Sequence, residues 1–108
     1  EEDEFFRQLR HFHELLDIKV AYQYRVGNYQ GTEYRIDGYI ESLKLAIEYE
    51  EGHHENQTKE DYEREREIAE KLGKSKLGGD VEFVRPTIKE SHCSGIAKVM
   101  RKIKEKRG

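Results

Sequence analysis

The chain has 108 residues, with 20 Lys and Arg against 23 Asp and Glu, a formal net charge of -3, 40% charged residues and 34% hydrophobic ones. That length suits one domain, so residues 1–108 are expected to form a single unit with a thin core and a highly charged surface. One cysteine excludes an intrachain disulfide, no apolar run is long enough to span a bilayer, and nothing resembles a signal peptide, so disulfide-framework and membrane classes fall away. The first residue is Glu1 and not Met, which makes a fragment of a longer protein the expectation.

Phe5, Leu9, Phe12 and Leu16 recur at helical spacing and predict an amphipathic helix. Ile18, Val20, Tyr22, Tyr24 and Val26 then alternate with polar or small residues, a strand pattern that Gly27-Asn28 is expected to end. After a Gly-containing turn, YRIDGYI reads as a second strand. ESLKLAIEYE reads as a third, with Leu43, Leu45, Ile47 and Tyr49 on one side and Lys44, Ala46, Glu48 and Glu50 on the other. The polar loop GHHENQTKED leads to a second helix, DYEREREIAEKLG, capped by Thr58 or Asp61 and stopped by Gly73. KSKLGGD is a loop, VEFVRP a short strand closed by Pro86, and the last helix puts Ile96, Val99, Met100 and Ile103 on one face, beginning near His92-Cys93. The expected fold class is α/β: helix, three strands, helix, strand, helix, with a mixed sheet flanked by helices.

Glu48 and Glu50 share a strand face, and Asp37 sits in the preceding strand. Facing side chains of antiparallel neighbours lie about 5 Å apart. Three carboxylates could therefore meet at one sheet edge, where like charge raises each pKa unless the acids splay into solvent or a cation holds them. Hard oxygen ligands in small number suit Mg²⁺ or Mn²⁺. The alternative left open is a sheet edge charged to prevent aggregation.

The stretch YRIDGYIESLKLAIEYEEGHHENQTKEDYERE resembles the core of PD-(D/E)XK nucleases, in the branch typified by very-short-patch-repair endonucleases. Asp37 takes the place of that core's first Asp, and Glu48 that of the Glu in its next strand. Glu50 stands where the superfamily has a lysine, Gly52 and His54 fall in the following loop, and Asp61 and Arg64 match a D-x-x-R helix start. EFVRP is similar to a strand of related modules in phages and large DNA viruses, where a separate DNA-binding domain accompanies the nuclease. The likeness covers roughly residues 18 to 104. It departs from the pattern at Ile36, which replaces a proline, at the missing lysine, and at the missing Asn after Arg85.

The resemblance implies a small restriction-endonuclease-like core and a metal-dependent DNA endonuclease acting inside a bacterial or virus-infected cell. Asp37, Glu48 and Glu50 would hold Mg²⁺ or Mn²⁺. His54 would move a proton in place of the lysine, since imidazole titrates near neutral pH. Arg64 would steady the scissile phosphate or form a structural salt bridge. Glu14, the tempting helix acid, is expected to point away from the apolar face of its helix. Lys98, Arg101 and Lys102 on the basic last helix would hold DNA phosphates. Cutting both strands would need two sites, hence a homodimer. Two alternatives stay open: a nuclease-like module that binds nucleic acid or protein without cleaving, and a plain α/β interaction domain with an acidic surface.

Overall fold

The computed structural model describes residues 2–52 and 55–107. Its elements run α1 (Glu2–Leu15), β1 (Ala21–Tyr29), β2 (Thr32–Ile40), a single 3-10 turn (Glu41–Leu43), β3 (Leu45–Ile47), α2 (Lys59–Leu77), β4 (Glu82–Val84) and α3 (His92–Arg107). The four strands form one mixed sheet in the order β1-β2-β3-β4. The first three are antiparallel neighbours, and β4 lies parallel to β3 because α2 carries the chain between them. The expected α/β element order is present.

Two apolar clusters make the layers. On one side, Phe5, Phe6 and Leu9 of α1 and Ile96, Val99 and Ile103 of α3 pack on Ile40, Leu45 and Ile47. On the other, Leu72 and Leu77 of α2 pack against Val26, Tyr39 and Ala46. The alternation of β3 is thus used on both faces. Phe5 is fully buried, edge-on to Phe6 at 5.2 Å and tilted against Tyr49 at 4.9 Å. Burial of each such side chain contributes about 1.5–3 kcal/mol.

Several boundaries differ from those expected, each for a local reason. β1 does not end at Gly27. The ladder continues to Tyr29, and the register shifts between Arg25 and Gly27, whose φ of 142° only glycine adopts without strain. The tight turn is Gln30-Gly31, both at positive φ. The third strand is shorter than its alternation suggests, because Glu41–Leu43 form the 3-10 turn and Lys44 is left-handed at φ 50°. Its extended path nevertheless resumes after β3: Glu48 N–H donates to the Val84 carbonyl at 3.0 Å, and Glu50 N–H to that of Pro86 at 2.8 Å. Thr58 caps α2 by accepting from Asp61 N–H. Gly73 does not stop the helix. It is buried inside it, where a Cβ would stand 3.0 Å from Phe83, and α2 ends at Gly78.

Among the described residues no helix is long and apolar enough to cross a membrane.

Candidate active site

β2 presents Asp37 at the sheet end where the chain leaves β3. Tyr49 N–H donates to Asp37 Oδ2 at 2.7 Å, so the backbone beside Glu48 fixes the first carboxylate. Glu48 lies on the extended segment that follows β3, with its side chain largely out of water, and its Oε1 is buried without a hydrogen-bond partner among the described residues. A third acid arrives from α1. Glu2 accepts from Gln23 Nε2 at 3.1 Å and lines one depression of about 220 Å³ with Asp37 and Glu48. The Phe5–Tyr49 contact seats the first turn of α1 there.

Burial, then the Asp37 charge, pushes Glu48 up to about 8. Burial raises Asp37 to about 6 against the opposing Tyr49 N–H, with Glu51 adding to the rise. Burial, then Asp37, raises Glu2 to about 7. All three acids are raised chiefly by burial and further by their neighbours' negative charge, so a cation placed among them would be favoured.

Glu50 is held differently. Arg66 Nη1 donates to its Oε1 at 2.6 Å, and Arg85 Nε stands 3.4 Å from the same oxygen, an ion-pair separation without hydrogen-bond geometry. Arg85 also reaches Glu70 at 2.9 Å. Glu50 therefore sits among two guanidinium groups supplied from α2 and from the residue after β4.

The other residues singled out from sequence are spread more widely. Arg64 is 72% exposed and pairs with Asp61 at 3.2 Å, one turn away on the same helix. It lines a neighbouring depression, while Arg66 reaches the acids. His53 and His54 lie outside the described residues. Glu14 is exposed, as its periodicity implies. On α3, Lys98 is engaged by Glu90 and the Arg85 carbonyl, and Lys102 by Glu82 and Glu105. Arg101 is exposed, beside Leu16 and Met100.

Sequence reasoning missed Glu2, Arg66 and Arg85. Glu2 sits in the acidic first turn Glu2-Asp3-Glu4, which reads as ordinary complement to a helix dipole. Arg66 was discoverable: Tyr62, Arg66, Ala69 and Gly73 form an i, i+4, i+7, i+11 stripe from which Arg64 is rotated away.

The donor set fits a hard divalent cation through an orphaned, buried Glu48 oxygen beside a fixed Asp37. Among the described residues no group of three or more His, Cys, Asp or Glu side chains is placed to hold a metal ion. The fit is therefore to an ion bound by one or two carboxylates and otherwise by water and substrate oxygens, as Mg²⁺ commonly is. No family model, no curated protein and no solved structure matches the chain.

Proposed function

We propose that the chain is a divalent-metal-dependent endodeoxyribonuclease domain with a PD-(D/E)XK-like site. The observation that carries this reading is the meeting of Asp37 and Glu48 at one sheet end, with a buried Glu48 oxygen lacking a partner and both acids raised by burial. The element order, with the acids at the end of the second strand and just past the third, also supports it.

Asp37 and Glu48 would hold Mg²⁺ or Mn²⁺. Such an ion, when bound, polarises a phosphoryl oxygen and yields hydroxide at neutral pH. The chain's own groups do the rest. Tyr49 N–H keeps Asp37 in place. Arg66 and Arg85 neutralise Glu50 and put guanidinium charge beside the acids, where phosphate charge increases in the transition state. Glu2, in the same depression as Asp37 and Glu48, is one candidate to accept the proton of the attacking water. His54 is the other candidate for that step.

The test is nicking of supercoiled plasmid. Wild-type protein should relax it in Mg²⁺ or Mn²⁺ and not in EDTA, and Asp37→Asn and Glu48→Gln should not relax it. A folded wild-type protein that leaves the plasmid intact in both metals would overturn the reading.

A second reading, a nuclease-like module that binds without cutting, is favoured by one observation: the lysine position carries Glu50, and both nearby cations are tied to it. Salt-dependent DNA binding without nicking would select it.

A further inference from the structure

Positive charge is sorted into two stripes on α3. Lys98, Lys102 and Lys106, four residues apart and half-buried, are each held by a carboxylate of Glu90, Glu82 or Glu105. Arg101, Lys104 and Arg107, three residues apart, are exposed, and among the described residues none of them has an ion-pair partner. These three cations and the apolar side chains of Leu16, Met100 and Ile103 line a depression of about 470 Å³ between the end of α1 and the C-terminal half of α3. No carboxylate lines it, whereas acids line the depressions beside α2 and β4. Apolar surface is also open to water at this end of α1: Phe12, one turn before Leu16, is 44% exposed, and Leu15 is 83% exposed.

We propose that this depression docks an acidic amphipathic segment of a partner protein. An apolar side chain of the segment sits on Leu16, Met100 and Ile103, and its carboxylates face Arg101, Lys104 and Arg107. Charge and shape select this occupant. The three cations span about 9 Å of α3, close to two turns on one face of a docked helix. A second copy brought up by a two-fold axis would set the same cations against each other. A phosphate backbone would meet the cations and gain nothing from an apolar floor. A bilayer takes up apolar groups that project into it, whereas Met100 is half-buried and Ile103 is only 3% exposed. The surface is separate from the acidic site, since Glu2 and Leu15 stand about 20 Å apart along α1.

The experiment is selection of random phage-displayed peptides of about 12 residues on the whole chain, long enough for anchors at i, i+3 or i+4 and i+7. Enriched peptides are then labelled and their affinities measured by fluorescence anisotropy. They should be net negative, with apolar residues at helical spacing. Arg101→Gln with Lys104→Gln and Arg107→Gln should weaken them about ten-fold or more, and Arg101→Glu with Lys104→Glu more strongly still. Lys59→Gln with Lys71→Gln and Lys89→Gln removes as many exposed cations elsewhere and should change affinity by less than about two-fold. All of these positions are exposed, so the variants should melt like wild type. Met100→Ala should also weaken the peptides, an effect that contact with charge alone would not produce.

Enrichment of no peptide that depends on Arg101, Lys104 and Arg107 would overturn the proposal, as would enriched peptides without acids or equal losses in the two triple Gln variants. Vesicles of phosphatidylcholine and phosphatidylserine, and a mixed-sequence DNA duplex, are tested beside the peptides. If either binds through those three cations and the peptides do not, the surface belongs to lipid or nucleic acid and the proposal falls. Plasmid nicking plays no part in these readouts, so the outcome is independent of the reading of the acidic site.

Discussion

The backbone N–H of Tyr49 donates to Asp37 Oδ2 across 2.7 Å, joining the residue beside Glu48 to the acid of the neighbouring strand. The first consequence concerns Asp37→Asn. The amide oxygen can accept the same hydrogen bond while the charge is gone, so melting in EDTA should match wild type or rise slightly. Nicking should fall by at least about 10²-fold, as expected when several kcal/mol of transition-state charge stabilisation is lost. Asp37→Ala also loses the bond and should be less stable by about 1 kcal/mol. Thermal melts of both variants, run beside the nicking assay, check this. Asn and Ala variants of equal stability would show that the bond contributes nothing.

The second prediction is a pH dependence. Glu48 is raised from 4.5 to about 8, Glu2 from 4.5 to about 7 and Asp37 from 3.8 to about 6. Each acid keeps its proton to higher pH when folded than when unfolded. Across that window the folded state binds more protons, and stability falls as pH rises. The contribution is complete below the ordinary carboxylate values near 4 and is lost as pH passes about 8. Melting temperature in EDTA should drop between about pH 5 and 8, and Glu48→Gln should flatten the drop. Saturating Mg²⁺ should oppose it, because a cation favours the charged carboxylates. A Glu48→Gln profile as steep as wild type would contradict the assignment of the raised group.

Arg66 and Arg64 should behave differently despite their proximity in sequence. Arg64→Gln removes an exposed pair with Asp61 and should change stability by less than about 0.5 kcal/mol. Arg66→Met leaves Glu50, only 22% exposed, with the more distant Arg85 and should cost about 1–3 kcal/mol. Denaturant melts of the two variants measure the difference directly. Glu50→Gln should be costlier than Arg64→Gln for the same reason.

On α3, replacing Lys98, Arg101 and Lys102 together with Gln tests whether that helix holds DNA. Two of the three ammonium or guanidinium groups are already engaged by Glu90, Glu82 and Glu105. Of the three, Arg101 alone has no ion pair among the described residues and can give up about one counterion's worth of slope, so the salt slope for duplex binding should fall by no more than about 1 unit. A fall of 2 to 3 units would mean that these lysines leave their carboxylates for phosphate.

The helix of Phe5 and Leu9 was legible because a 3.6-residue period needs nothing beyond its own segment, and Asp37 and Glu48 fell together because their strands are adjacent in sequence. Glycine was where reading failed. Gly27 and Gly73 carry the signature of terminators, yet one is a bulge that lets β1 turn and continue, and the other lets Phe83 pack against α2. Which of these a glycine does depends on what approaches it from elsewhere in the chain. The same holds for Glu2. Its closeness to Asp37 is set by the docking of α1 through Phe5 and Tyr49, a contact between distant segments that no local pattern encodes.

The most direct measurement of the central claim is anomalous diffraction from a crystal soaked in Mn²⁺. The account predicts one strong anomalous peak within coordination distance, about 2–2.6 Å, of a carboxylate oxygen of Asp37 and of Glu48 Oε1, absent from a Glu48→Gln crystal soaked in the same way. A soaked wild-type crystal with those two carboxylates free of anomalous density, or with the peak unchanged in Glu48→Gln, would contradict it.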